Sequence, residues 1–172
     1  MIDDTKSKLQ PFILTACIIL ADQISKAVVA ATIPMNSVGV SLLGGFLRII
    51  HARNLGIAFS IGGTAPGSFR GIFFMALPII VLVLLAVFYF RSNDLTALQR
   101  WAVAGILGGG IGNLLDRLFR PYGVVDFIDV KFYGLFGLER WPIFNIADSS
   151  VVVCGILLLL SVLGKGGKEK NE

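Results

Sequence analysis

The sequence predicts an all-α integral membrane protein with four transmembrane helices and short strands in the loops on its outer side. Three observations carry that expectation. Hydrophobic residues fill 55% of the 172 positions and charged residues only 15%, and mean hydropathy is +0.82, far from an ordinary soluble domain. Four apolar stretches approach the ~20 residues that a helix needs to cross a bilayer. Lysine and arginine fall mostly between those stretches, as topology signals do, and form no stripe of the kind that binds nucleic acid, despite a net charge of +4. Disorder is excluded by the hydrophobicity, and the 20 glycines follow no fibrous period.

The first span, 11–32, carries Asp22, Gln23 and Lys26 in its interior. These charges, and a run longer than the usual signal-peptide core of roughly 7–15 residues, predict a retained anchor. The outer loop 33–71 follows, in which 46–61 mixes strand-forming residues with Gly44, Gly45, Gly56, Gly62 and Gly63 as punctuation, so short strands are expected. The second span, 72–90, holds no charge, is bracketed by Arg70 and Arg91, and tolerates Pro78 because neighbouring helices can satisfy the freed carbonyl. The third, 101–119, is rich in glycine and ends with Asn113, Asp116 and Arg117. In the outer loop 120–142, alternation over 124–130 places Val124, Asp126, Ile128 and Val130 on one side and Val125, Phe127 and Asp129 on the other. The fourth span, 143–164, has Asn145 and Asp148 in its first turns. The whole chain reads as a single membrane domain.

An even number of spans leaves both ends on one side. Lys6, Lys8, Arg91, Arg100, Lys165, Lys168 and Lys170 crowd into about 28 residues of termini and the short 91–100 loop, whereas the other loops spread six over about 60. That density predicts cytoplasmic termini and two larger loops outside.

An ionisable side chain within a span costs roughly 2.5–3.5 kcal/mol on insertion scales, so each one demands an explanation. At 1.5 Å rise per residue, Asp148 lies about 9 Å below Pro142, and Asn113, Asp116 and Arg117 lie within about 10 Å of the outer end of the third span. Asn-x-x-Asp occurs at 113–116 and at 145–148, and i,i+3 spacing puts both members of each pair on one helical face. Simpler readings stand beside the functional one. Asn145 can cap the fourth helix while Asp148 complements its dipole, and Asp116 with Arg117 can form a structural pair or a headgroup contact. Asp22 and Lys26, at i,i+4, suit a mutually neutralising pair. Gly105, Gly108, Gly109 and Gly112 form two overlapping small-xxx-small registers, a device for close helix packing.

The chemistry narrows by elimination. Cys17 and Cys154 lie in apolar runs and read as packing residues, and His51 has no Cys/His cluster around it, so no metal site is expected. No GxSxG elbow is present, and Ser25 and Lys26, adjacent on a helix, point in different directions. Carboxylates remain. Two aspartates sharing a low-dielectric site cannot both ionise easily, so one keeps a proton while the other acts as base on water. An ion path through buried charges, and a structural subunit assembled on the glycine-rich helix, are the rival classes.

Five blocks then occur in order: Asp22-Gln23-Ile24-Ser25-Lys26, 54–59 (Asn-Leu-Gly-Ile-Ala-Phe), 108–117 (Gly-Gly-Gly-Ile-Gly-Asn-Leu-Leu-Asp-Arg), Val124-Val125-Asp126-Phe127 and Phe144-Asn145-Ile146-Ala147-Asp148. Together they resemble the bacterial lipoprotein signal peptidases, signal peptidase II, over nearly the whole chain. The resemblance implies a cofactor-free, metal-free aspartic endopeptidase of the cytoplasmic membrane, with four transmembrane helices, a small extracytoplasmic β-rich cradle and an active site near the outer leaflet. Its substrate would be a prolipoprotein cut on the amino side of a diacylglyceryl-modified cysteine. By the same resemblance Asp126 and Asp148 are catalytic, Asn54, Asn113, Arg117 and Asn145 contact substrate or support the site, and Asp22 and Lys26 are a structural pair. Membrane lipids as partners, a monomeric state, no nucleic acid, and inhibition by cyclic peptide antibiotics such as globomycin complete the expectation. Arg120-Pro121-Tyr122 makes the approach to Asp126 locally distinctive.

Overall fold

The computed structural model describes residues 7–55 and 67–168. Its elements run α1 (Phe12–Thr32), β1 (Val38–Leu42), β2 (Leu47–Asn54), α2 (Gly67–Arg91), α3 (Ala97–Phe119), β3 (Val124–Val130) and α4 (Ile146–Lys168). The strands form one antiparallel sheet in the order β1-β2-β3. The chain is thus helical with a small sheet, and not purely α.

Polarity is arranged inside out. Leu20, Ile24, Leu160 and Leu163 are each about 60% exposed while Asp22, Lys26, Asp116 and Asn145 are fully buried, which is costly in water and favourable in lipid, where charges must find partners inside the bundle. By length and composition, the helical stretches Ser7–Thr32 and Ile146–Gly164 can cross a bilayer, and Met75–Arg91 is a shorter apolar stretch.

Helix α3 sits at the centre and packs against the other three. Its glycines allow this. A Cβ at Gly108 would press on the Thr15 backbone of α1, one at Gly109 on the Ala147 carbonyl and Ser150 hydroxyl of α4, and one at Gly110 on Leu82 of α2. The packing role expected of Gly105, Gly108, Gly109 and Gly112 is what the structure shows. Gly105 faces Cys154, itself buried, while Cys17 is exposed on the outside of α1.

The boundaries differ from the sequence reading at helix N-termini. Helix α3 begins at Ala97, four residues early, because Thr96 and Gln99 form a reciprocal capping box (Gln99 N–H to Thr96 Oγ1 3.3 Å, Thr96 N–H to Gln99 Oε1 3.0 Å). Helix α2 starts at Gly67 and runs through Pro78. Helix α4 starts later than expected, at Ile146, because Phe144 is held by the sheet: its N–H donates to the Ile128 carbonyl (3.1 Å) and its carbonyl accepts from Ile128 N–H (2.8 Å). Asp148 therefore lies in the first turn of α4. Tyr89 Oη donates to the Lys8 carbonyl (2.6 Å) and Lys8 Nζ to Asn93 Oδ1 (2.9 Å), which brings Lys8 to the α2–α3 turn.

The strand expected over 46–61 is β2 as far as Asn54, and 56–61 lie outside the described residues. β1 was not singled out by the pattern, since its residues are all exposed and only pairing with β2 orders them. In β3 the alternation holds around Asp126: Val125 and Phe127 pack on Val29 and Ile33 at the end of α1, while Asp126 points to the helix ends.

Candidate active site

The site is assembled where β2, β3 and the outer ends of α3 and α4 meet. Asn54 closes β2 opposite Val124, and the turn into β3 passes through Gly123 (φ +81°), where a Cβ would strike the Asn54 carbonyl. Glycine alone fits both demands. Three residues on from Gly123, Asp126 receives hydrogen bonds from Asn54 Nδ2 on one oxygen (3.0 Å) and Asn145 Nδ2 on the other (2.7 Å).

Asn145 serves two purposes at once. It caps α4 reciprocally with Asp148: Asp148 N–H donates to Asn145 Oδ1 (2.9 Å) and Asn145 N–H to Asp148 Oδ2 (3.2 Å). Its amide nitrogen meanwhile reaches Asp126 and Asn113 Oδ1 (3.1 Å). Capping and site roles are therefore compatible. Asn113 Nδ2 donates to Asp148 Oδ1 (2.7 Å), so two asparagines bridge the two carboxylates.

Asp126 and Asp148 line one cavity of about 390 Å³ with Asn54, Asn113 and Arg117, its remaining walls largely apolar residues of α2, α3 and α4 such as Leu82, Ile106 and Val151. Burial first, and the charge of Asp148 second, push the Asp126 carboxyl up to about 6 against the opposing hydrogen bonds from Asn54 and Asn145. Arg117 donates to the Asn113 carbonyl (3.4 Å) and faces this cavity. Asp116 turns elsewhere: it is fully buried, pairs with Lys26 (3.3 Å) and Arg120 (3.0 Å), and accepts from Val125 N–H (3.0 Å). The simple Asp116–Arg117 pairing is thus replaced by an i,i+4 pair to Arg120. Asp22 and Lys26 pair at 2.8 Å, both fully buried.

The Gly108–Arg117 and Phe144–Asp148 stretches that form this pocket lie within a match to the family model for signal peptidase (SPase) II, which spans residues 14–164. The chain is 48% identical over 158 residues to the lipoprotein signal peptidase of Treponema pallidum (strain Nichols), covering 92% of this chain and 85% of that one. The chain belongs to the signal peptidase II family. The lipoprotein signal peptidase of Treponema denticola is 44% identical over 169 residues, with 98% and 97% covered. A solved structure of a bacterial membrane enzyme superposes with a TM-score of 0.81 at 29% identity, covering 95% of this chain and 93% of that one. A signal peptidase II is a protease, and the fold of this one matches a membrane enzyme.

Sequence reasoning missed a second polar cluster beside the site. Asp129, 2% exposed, pairs with Arg48 and Arg140, and Arg140 also donates to the Gly45 carbonyl (3.2 Å). This clamp ties the β1–β2 turn to β3 and walls a further cavity of about 370 Å³ that shares Asn54, Asp126 and Ile143 with the first. An acid in an alternating strand was the available signal, but its arginines lie 81 positions before and 11 after it.

Proposed function

We propose that this signal peptidase II is an intramembrane aspartic endopeptidase that removes the signal peptide from diacylglyceryl-modified prolipoproteins, cutting on the amino side of the lipidated cysteine. The observation that carries the reading is the convergence of Asp126 and Asp148, from a strand and a helix, on one cavity whose walls beyond Asn54, Asn113 and Arg117 are largely apolar. A water between the carboxylates loses a proton to one of them as it attacks the scissile carbonyl, and the other protonates the carbonyl oxygen. Collapse of the tetrahedral intermediate breaks the C–N bond as the carboxyl that took the water's proton passes it to the leaving nitrogen and the other recovers a proton from a hydroxyl of the intermediate, releasing the signal peptide with a new carboxyl end and the lipidated cysteine with a free amine. Arg117 holds the substrate backbone, and Asn54, Asn113 and Asn145 orient the carboxylates. Asn54 supports the dyad through its Nδ2, which donates to Asp126 (3.0 Å).

All four helices cross the cytoplasmic membrane in this reading, with both termini cytoplasmic and the sheet on the outer face. The enzyme works as a monomer in contact with membrane lipid, and a cyclic peptide such as globomycin blocks it by filling the apolar cavity. An ion path is disfavoured because the buried charges Asp22, Lys26 and Asp116 are paired with one another.

A diacylglyceryl-modified precursor is expected to be cleaved about 100-fold faster in kcat/KM than its unlipidated form, the penalty attached to a misplacement of about 1 Å at a reacting centre. Mass spectrometry of both products measures it; equal cleavage of the two would remove the lipid from the specificity.

The dyad works with one proton between its two members and titrates as a unit. With Asp126 raised from 3.8 to about 6, its contribution to folding is present below 3.8 and lost as pH rises through about 6. The shared proton departs over the same range, so kcat/KM is expected to decline on the alkaline side of about pH 6. A profile that stays flat to about pH 8 would argue against the shared proton.

A further inference from the structure

Lys26 is fully buried on α1 and does not line the cavity. Its ammonium has three N–H groups, and three acceptors meet it: Asp22 at 2.8 Å, Asp116 at 3.3 Å and Asn113 Oδ1 at 2.9 Å. The first two neutralise it. The third does something a charge pair does not require, because it dictates which way the Asn113 amide points.

An asparagine amide has one accepting end and one donating end of nearly the same shape. Asn113 Oδ1 accepts from Lys26 and from Asn145 Nδ2, which leaves Nδ2 to donate to Asp148. Flipping the amide would set its NH₂ against the donor-only ammonium and against the Asn145 NH₂, and its oxygen against the Asp148 carboxylate. All three contacts would become repulsive. Asp22 extends the same control to the backbone, since its Oδ1 accepts from Ala147 N–H (3.0 Å), the residue before Asp148.

We infer that Lys26 is a positioning residue of the carboxylate dyad, acting through the orientation of the Asn113 amide to hold a donor against Asp148. This rests on the proposed aspartic mechanism. Without Lys26 one of the two donors that fix the Asn113 amide is gone and only Asn145 still holds it, so the donor that aims Asp148 is held less firmly and the fraction of molecules with a competent dyad falls. Substrate binding, made by other walls of the cavity, is unaffected.

The test uses the full-length protein and a lipidated precursor. Asp22→Asn/Lys26→Met removes one charge of each sign, leaves Asp116 paired with Arg120, and keeps an acceptor for Ala147 N–H. Its kcat is expected to fall about 10- to 100-fold with KM within about twofold, the pattern of a lost interaction specific to the reacting state. Asp22→Asn/Lys26→Gln, which restores a neutral donor at the same place, is expected to recover most of that loss. Added to Asn113→Ala, the Lys26→Met pair is expected to cost nothing more, since its route to Asp148 is already cut. Wild-type kcat in the Met pair, a rise confined to KM, or losses that add to Asn113→Ala would overturn the inference. So would failure of both Asp22→Asn pairs to fold, which assigns Lys26 to the fold alone. If the wild-type protein leaves the lipidated precursor uncut, it is the proposed function that fails; cleavage by wild type and variants alike sinks only the role of Lys26.

Discussion

Asp126→Asn and Asp148→Asn are each expected to lower kcat on a lipidated precursor by about 10²- to 10⁴-fold, the range for removing a general acid or base. Neither should remove the protein from the membrane. At Asp126 the new amide meets two donors, Asn54 and Asn145, so about one hydrogen bond is lost, worth roughly 1 kcal/mol. At Asp148 the backbone cap to Asn145 survives through the retained side-chain oxygen. Gel-shift cleavage assays beside thermal melts of the purified variants separate catalysis from folding. Turnover within tenfold of wild type in either variant would strike that residue from the mechanism.

Gly109→Leu is expected to destroy both stability and activity, whereas Gly155→Leu changes neither. A Cβ at Gly109 would collide with the Ala147 carbonyl, the Ser150 hydroxyl and Val151 Cγ2, the last at 2.8 Å, whereas one at Gly155 meets nothing within 4 Å. Overpacking costs about 1–3 kcal/mol where side chains can yield, and a backbone carbonyl yields less. Separation of α3 from α4 would also pull Asn113 away from Asp148, a contact of 2.7 Å. Detergent-extracted yield, melting temperature and cleavage rate measure the contrast. A Gly109→Leu protein with wild-type melting and turnover would mean that α3 and α4 do not pack as closely as the glycine requires.

Much of the site was legible in the chain because its chemistry is local. Asn145 and Asp148 are three residues apart and meet through one helical cap, and Asp22 and Lys26 are one turn apart and pair directly. Apolar flanks made each polar residue conspicuous, since lipid leaves little room for a charge without a purpose. What spacing could not give was choice among partners. Asp116 had Arg117 beside it and Arg120 one turn on, and helical geometry favours the latter. Asn54 meets Asp126 across two strands, 72 positions away in the chain. Asp129 was visible in the alternation of its strand but its arginine partners were not, because they come from a strand 81 positions earlier and from beyond a turn.

The sequence by itself determined the solvent, the helices, and which scarce polar residues had to be accounted for, because hydropathy and i,i+4 spacing are properties of short stretches. Only the tertiary structure decided that Asp126 and Asp148 share a cavity, that two asparagines bridge them, and that a buried lysine donates to one of those asparagines. Those facts depend on hydrogen-bond donors and acceptors brought together from α1, α3, β3 and α4, and a hydrogen bond a few ångströms long carries no trace in the sequence distance between its partners.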